Sequence, residues 1–76
     1  MKYVVYEDGD FAIIPETMNH SDARIMGKTP AGAGFIDLSI NDNGDVSAYC
    51  YGSSITLDLM SRGEEDEFEI EMGFRL

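Results

Sequence analysis

The sequence predicts a small α+β domain in which two antiparallel β-hairpins form a sheet beside one or two short helices. Two residue pairs that favour tight turns, Asp8-Gly9 and Asn43-Gly44, each separate two stretches rich in β-branched and aromatic residues. A glutamate-rich segment that begins near Ser61 is compatible with a helix. Strand pairs beside separate helices are typical of the α+β class.

The length of 76 residues suits one domain spanning 1–76 without linkers. Hydrophobic residues make up 43% of the chain, which is enough to form a core. The single cysteine, Cys50, excludes an intramolecular disulfide, so a core of this size gives marginal stability. Oligomerisation could supplement it, and the sequence leaves that open.

The first hairpin is predicted from strand-forming residues on both sides of Asp8-Gly9. Residues 2–7 form one strand, and residues 11–14 form the returning strand, which Pro15 ends. The Asp-Gly pair favours a two-residue type I′ turn, in which both central residues have positive φ.

The second hairpin joins residues 35–41 to residues 46–51, with Asn43-Gly44 at its tip. This placement predicts that Leu38 faces Tyr49, Ile36 faces Tyr51 and Ile40 faces Ser47. One face of the hairpin would then carry Ile36, Leu38, Ile40, Tyr49 and Tyr51, and the other Asp37, Ser39, Ala48 and Cys50.

The region between the hairpins has weaker signals. Ser21 can cap a short helix of about two turns at most, which Gly27 would end. Residues 28–34 are rich in small side chains and are predicted to form a loop, which suits either a flexible crossing or close backbone packing. Residues 55–59 alternate in polarity and could form a short strand.

The last segment supports two interpretations. Apolar residues at alternate positions from Phe68 to Phe74 indicate a strand. A capping box from Ser61 to Glu64, together with the glutamates that follow, indicates a helix. We favour the helix narrowly.

Three segments, residues 31–36, 49–57 and 61–65, resemble a group of small uncharacterised proteins from bacteria and their phages. The matching positions are His20, Ala33-Gly34-Phe35, Cys50-Tyr51-Gly52, Ser54 and Ser61-Arg62. The chain departs from that group at Gly63, where the group tends to have proline, and in its acidic tail. The resemblance implies a phage or prophage origin, where small acidic proteins often bind host machinery.

The chain carries 15 acidic and 5 basic residues, a formal net charge of -10. This charge argues against binding nucleic acid or an anionic membrane, and it favours a basic protein surface as partner. The tail carboxylates could form a solvated face, a divalent-ion site or a nucleic-acid mimic backed by Phe68 and Ile70. The candidate binding residues are Glu64, Glu65, Asp66, Glu67, Glu69 and Glu71.

Catalytic and metal sites are not predicted, and no cofactor is implied. His20 and Cys50 are the only base and thiol, and the predicted register places Asp37 beside Cys50, where a carboxylate suppresses the thiolate. Residues 41–45 lack the glycine and glutamate spacing of a calcium loop and suit a turn.

The leading hypothesis is a non-enzymatic interaction protein that binds a basic host surface. The alternative is a small-ligand binder that sequesters an anionic metabolite or nucleotide through Arg24, Lys28 and Arg62. A structural or virion accessory subunit is a third option. With no evident signal peptide and no run of 18 apolar residues, we expect a cytoplasmic, non-membrane protein.

Overall fold

A four-stranded antiparallel sheet, a two-stranded sheet and one α-helix form the fold in the computed structural model, which describes residues 1–75. The predicted α+β class is confirmed. The large sheet has the strand order β2-β1-β3-β4. In chain order the elements are β1 (Lys2–Tyr6), β2 (Phe11–Ile14), a 3₁₀ helix (His20–Ala23), β3 (Pro30–Ile40), β4 (Val46–Tyr51), β5 (Ser53–Ser54), β6 (Leu59–Met60) and α1 (Glu64–Phe74).

Both faces of the large sheet are covered around the central strand β1, so residues 3–6 are fully buried. Alternate side chains of a strand point to opposite faces, which creates two cores. The core on the α1 side contains Tyr3, Val5, Ile36, Cys50 and Ile70. The core on the side of the 3₁₀ helix and the small sheet contains Val4, Tyr6, Ile14, Ala23 and Ala33.

The first hairpin has the predicted strands but a different turn. The N–H of Gly9 donates to the carbonyl of Tyr6 at 3.0 Å, and the N–H of Tyr6 donates to the carbonyl of Asp10 at 2.8 Å. Gly9 has a φ of 90°, whereas Asp8 does not have a positive φ. The loop is therefore a three-residue turn with glycine in the left-handed position, and the type I′ prediction is wrong.

The second hairpin contains the same three-residue loop. Gly44 has a φ of 88° and donates its N–H to the carbonyl of Asn41 at 2.9 Å. The N–H of Asn41 donates to the carbonyl of Asp45 at 2.8 Å. Each loop also has an Asx side chain that accepts from the backbone two residues later, namely Asp8 from Asp10 and Asn43 from Asp45.

The longer loop shifts the register of β3 and β4 by one residue. Leu38 faces Ala48 and Ile36 faces Cys50, so the predicted pairings are wrong. A slip of one residue exchanges the two faces of a strand. Tyr49 and Tyr51 consequently lie on the opposite face from Ile36.

The glycine-rich stretch is a strand from Pro30 onward, so the loop prediction for residues 28–34 is wrong for residues 30–34. β3 begins at Pro30 and pairs with β1 from Pro30 to Phe35. A Cβ on Gly32 would overlap the Asp66 carboxylate, and one on Gly34 would overlap the Tyr51 carbonyl. The glycines allow close packing here, where larger side chains would keep β3 away from its neighbours.

The helical predictions are partly wrong. The 3₁₀ helix ends at Ala23, well before Gly27, and Ser21 lies inside it. The residue that precedes it, Asn19, donates its backbone N–H to the Asp22 carboxylate at 3.1 Å. Of the strand predicted over residues 55–59, only Leu59 lies in a strand, β6, and residues 55–58 form the turn that connects β5 to β6.

The structure forms a helix at the tail, which confirms the favoured interpretation. The predicted capping box is wrong, because Gly63 precedes the helix and Ser61 Oγ accepts from the N–H of Gly63 at 3.1 Å.

Candidate interaction surface

The six tail carboxylates predicted as one acidic surface are divided by α1 into two sets. Asp66, Glu67 and Glu71 accept hydrogen bonds from other parts of the chain. The remaining three, Glu64, Glu65 and Glu69, make no side-chain hydrogen bond within residues 1–75. Half of the predicted site therefore stabilises the fold.

Asp66 lies in the interior with 0% exposure. Its carboxylate accepts from the Tyr3 hydroxyl at 2.5 Å, from the Arg62 backbone N–H at 2.9 Å and from Arg62 Nε at 2.7 Å. The Tyr3 oxygen also lies 2.7 Å from Ser61 Oγ. Burial and the Asp66 carboxylate raise the pKa of Tyr3, which keeps the phenol protonated as the donor. These contacts anchor the start of α1 to the central strand.

Glu67 and Glu71 cover the outer edge of β4. Their carboxylates accept from the backbone N–H of Cys50 at 2.9 Å and of Ala48 at 2.8 Å. Four residues of helix rise about 6 Å and two residues of strand rise about 6.8 Å, so the spacings match. The two glutamates thus replace the carbonyls that a neighbouring strand would offer to this edge.

The outer side of α1 remains exposed and combines negative charge with apolar surface. Phe68 is 60% exposed and Met72, one turn later, is 41% exposed. A groove of about 350 Å³ lies here, lined by Arg62, Glu64, Glu65, Phe68 and Glu69. We define the outer α1 surface as Glu64, Glu65, Phe68, Glu69 and Met72.

The excess negative charge is not neutralised internally. Within residues 1–75, ion pairs involve five of the 15 carboxylates, which leaves ten without a cation within 4.0 Å. The cations of Arg62 and Lys28 each contact two carboxylates. Among the described residues, the only cationic partner of a carboxylate on the outer α1 surface is Arg62, whose NH1 lies 3.5 Å from Glu65.

The three cations of the alternative ligand site do not lie together. Arg24 and Lys28 line a groove of about 520 Å³ with apolar walls that include Leu57 and Leu59. Arg62 lines a different groove and is hydrogen-bonded to Asp66.

Lys28 is also paired with both Asp8 and Asp10, whose contacts raise the pKa of the lysine. Arg24 has no ion pair within residues 1–75. An anionic ligand at this groove would therefore meet one cation that is available and one that two carboxylates already hold.

His20 and Cys50 contact opposite faces of the sheet. His20 Nε2 lies 2.8 Å from the Gly34 carbonyl and its ring packs edge-on against Phe35. Cys50 lies in the core on the α1 side. Burial, with Glu67 as the next contributor, raises the pKa of the Cys50 thiol to about 12. The register shift places Asp37 opposite Tyr49, so the predicted Asp37–Cys50 pairing is wrong.

An aromatic strip lies on the sheet face opposite α1. The rings of Phe35 and Tyr51 stack with centroids 6.0 Å apart, and those of Tyr51 and Tyr49 stack at 5.3 Å. Tyr49 is 61% exposed and Tyr51 is 41% exposed. Sequence reasoning missed this strip because the predicted register buried both tyrosines with Ile36.

The described residues contain neither a metal-binding cluster nor a membrane-spanning helix. Within residues 1–75, no group of three or more His, Cys, Asp or Glu side chains is arranged to hold a metal ion. None of the helices there is long and apolar enough to cross a membrane. No protein-family model, curated protein sequence or solved structure matches the chain.

Proposed function

We propose that this protein is a non-enzymatic interaction protein that binds a basic surface of a partner protein through the outer α1 surface. The observation that carries the proposal is the exposure of Phe68 and Met72 beside glutamates that have few cationic partners. A large apolar side chain on a charged helix face is typical of an anchor that becomes buried on binding.

The charge distribution supports a basic partner. Within residues 1–75, ten carboxylates have no cation nearby, and they create a negative potential that attracts a cationic surface and repels nucleic acid. A host nucleic-acid-binding protein, whose basic groove the acidic helix would occupy, fits this chemistry. A phage or prophage origin and a cytoplasmic location belong to the same proposal, and the sequence resemblance supports the former.

The test is binding to a panel of purified host nucleic-acid-binding proteins at low and high salt. The test variant combines Glu64→Gln, Glu65→Gln and Glu69→Gln, none of which removes an internal hydrogen bond. A matched control combines Asp42→Asn, Asp45→Asn and Asp58→Asn, which removes the same charge elsewhere.

We expect the test variant to weaken binding roughly tenfold more than the control, because close charge pairs contribute more than distant screened ones. Phe68→Ala should weaken binding by a further factor of about ten at either salt concentration. Equal losses in the test and control variants, or binding that salt does not weaken, would reject the proposal.

A second candidate function is the sequestration of a small anionic ligand in the groove between Arg24 and Lys28. Its volume of about 520 Å³ lies within the range of small-molecule sites. A thermal-shift screen against nucleotides tests it. Stabilisation that Arg24→Ala abolishes would favour this candidate, and Arg62→Ala is unsuitable because Arg62 supports the buried Asp66.

A further inference from the structure

The hairpin formed by β3 and β4 extends beyond the rest of the sheet and leaves one backbone edge open. β1 pairs with β3 only as far as Phe35, and the last bond between them is from the N–H of Ile36 to the carbonyl of Met1 at 2.9 Å. Residues 37–40 of β3 pair with β4 alone.

The hydrogen-bonding pattern shows which backbone groups are free. In an antiparallel pair, alternate residues bond to the partner strand and the others point away. On the β4 side, the N–H groups of Val46, Ala48 and Cys50 point outward. Those of Ala48 and Cys50 donate to α1. Their cross-strand partners are Leu38 and Ile36, so the groups of Leu38 and the next alternate residue, Ile40, point outward from β3.

No protein group within residues 1–75 bonds to the N–H of Leu38 or Ile40. Ile40 is 75% exposed. The open edge therefore has room for one more extended strand, which would continue β1 along β3.

The adjacent sheet face indicates the chemistry of such a strand. Asp37 points to the same face as the tyrosine opposite it, Tyr49, and has no cationic partner within residues 1–75. In a strand added antiparallel to β3, the residue opposite Asp37 would form a non-hydrogen-bonded pair, in which side chains approach most closely. A cation there would meet the carboxylate and reach the exposed ring of Tyr49.

We propose that the open edge of β3 binds an extended segment of a partner protein, with an arginine of that segment between Asp37 and Tyr49. Backbone bonds to Leu38 and Ile40 provide the pairing. Arginine fits better than lysine, because its planar guanidinium both pairs with a carboxylate and stacks on an aromatic ring. The inference goes beyond the proposed function, since it concerns a second surface and requires nothing of α1.

The experiment titrates the full chain, labelled with ¹⁵N, with a capped seven-residue Thr/Val peptide that has arginine at its centre. Two matched peptides replace the arginine with glutamate or methylate the backbone nitrogens that would face β3. Shifts of the Leu38 and Ile40 amide signals with the arginine peptide are expected. The other two peptides should bind at least fivefold more weakly.

Protein variants provide the reciprocal test. Ile40→Pro removes an outward N–H, whereas Ile40→Val retains it. Asp37→Asn and Tyr49→Ala remove the charge and the ring, and Tyr49→Phe retains the ring. We expect losses of about threefold to fivefold for Ile40→Pro, Asp37→Asn and Tyr49→Ala, and little change for the two controls.

Unchanged binding of the N-methylated peptide would overturn the inference even if Ile40→Pro failed to fold. A dimer of the free protein that Ile40→Pro dissolves would also overturn it, because the edge would then belong to a second copy. The variant with Glu64→Gln, Glu65→Gln and Glu69→Gln should retain most of its peptide binding. Loss only in this variant would overturn the edge site and leave the proposed function intact.

Discussion

The two edges of the β3–β4 hairpin differ in whether other parts of the chain bond to their backbone N–H groups. The β4 edge is covered at Ala48 and Cys50, because Glu71 and Glu67 accept from their outward N–H groups. The β3 edge beyond Phe35 has no such cover within residues 1–75. The contrast shows that charged side chains of a helix can protect a strand edge as a neighbouring strand does, and that they protect only what they can reach.

The largest expected effect is on the anchor that holds α1 over the covered edge. Asp66→Ala removes the carboxylate that accepts from the Tyr3 hydroxyl and leaves both Arg62 N–H groups without their acceptor. We expect a loss of about 3–5 kcal/mol in the free energy of unfolding, comparable to the whole stability of a small domain. Urea denaturation measures it, and Glu64→Ala is the control. A loss below about 1 kcal/mol would show that α1 does not depend on this anchor.

The next effect concerns the covered edge itself. Glu67→Ala and Glu71→Ala each remove one acceptor from β4 and should cost about 1–2 kcal/mol, whereas Glu67→Gln retains an acceptor and should cost less. Hydrogen exchange should accelerate at Cys50 in the first variant and at Ala48 in the second. If both amides stayed protected in the double variant, the carboxylates would not be what covers this edge.

The free energy of unfolding should depend on pH because Cys50 is buried behind the covered edge. The folded protein holds the pKa of the Cys50 thiol at about 12, against an ordinary value of 9.0. Between these values the unfolded chain loses its proton first, so the folded state binds more protons and stability falls as pH rises. The raised pKa of Tyr3 acts in the same direction.

Urea unfolding at several pH values from about 9 to 12 should show this decline, with a shallower slope in Cys50→Ala. Equal slopes in the two proteins would mean that the thiol titrates alike in both states. Alkylation of Cys50 in the folded protein should also be slow at pH 8, since little thiolate forms there.

The smallest expected effect is the loss of stability caused by proline at the open β3 edge, compared with proline at the covered β4 edge. Ile40→Pro removes an N–H that has no acceptor within residues 1–75, so its cost should stay below about 1 kcal/mol. Ala48→Pro removes an outward N–H of the covered β4 edge, which donates to Glu71, and should cost clearly more. Thermal unfolding of both variants makes the comparison. Equal losses would indicate that the two edges do not differ.

Much of the fold was predictable because its signals are local. The strand residues of the first hairpin and the Asn-Gly pair of the second identified both hairpins, and the glutamates of the tail favoured the helix that forms. The turn length was not predictable, because a two-residue loop and a three-residue loop both use glycine with positive φ. The one additional residue in the second loop moved Tyr49 and Tyr51 to the opposite face of the sheet.

The sequence predicted that the tail is rich in carboxylates, but it did not predict which of them contact the rest of the chain. The run from Glu64 to Glu71 lies on one element, α1, and the outer α1 surface contains part of it. The sequence did not show that the six tail carboxylates form two sets, because the partners of Asp66 and Glu67 lie far away in the chain. The one available signal was the Glu67–Glu71 spacing, which places both side chains on the same face of a helix. Its meaning depended on knowing that β4 is an edge strand.

The amino-acid sequence alone determined the α+β class, the two hairpins and the surplus of negative charge, because turn preferences, strand propensity and composition depend on neighbouring residues or on none. The tertiary structure decided which carboxylates support the fold and which face solvent. It also decided that the glycine-rich stretch is a strand. Those outcomes depend on contacts such as that between Tyr3 and Asp66, 63 positions apart, which no local pattern specifies.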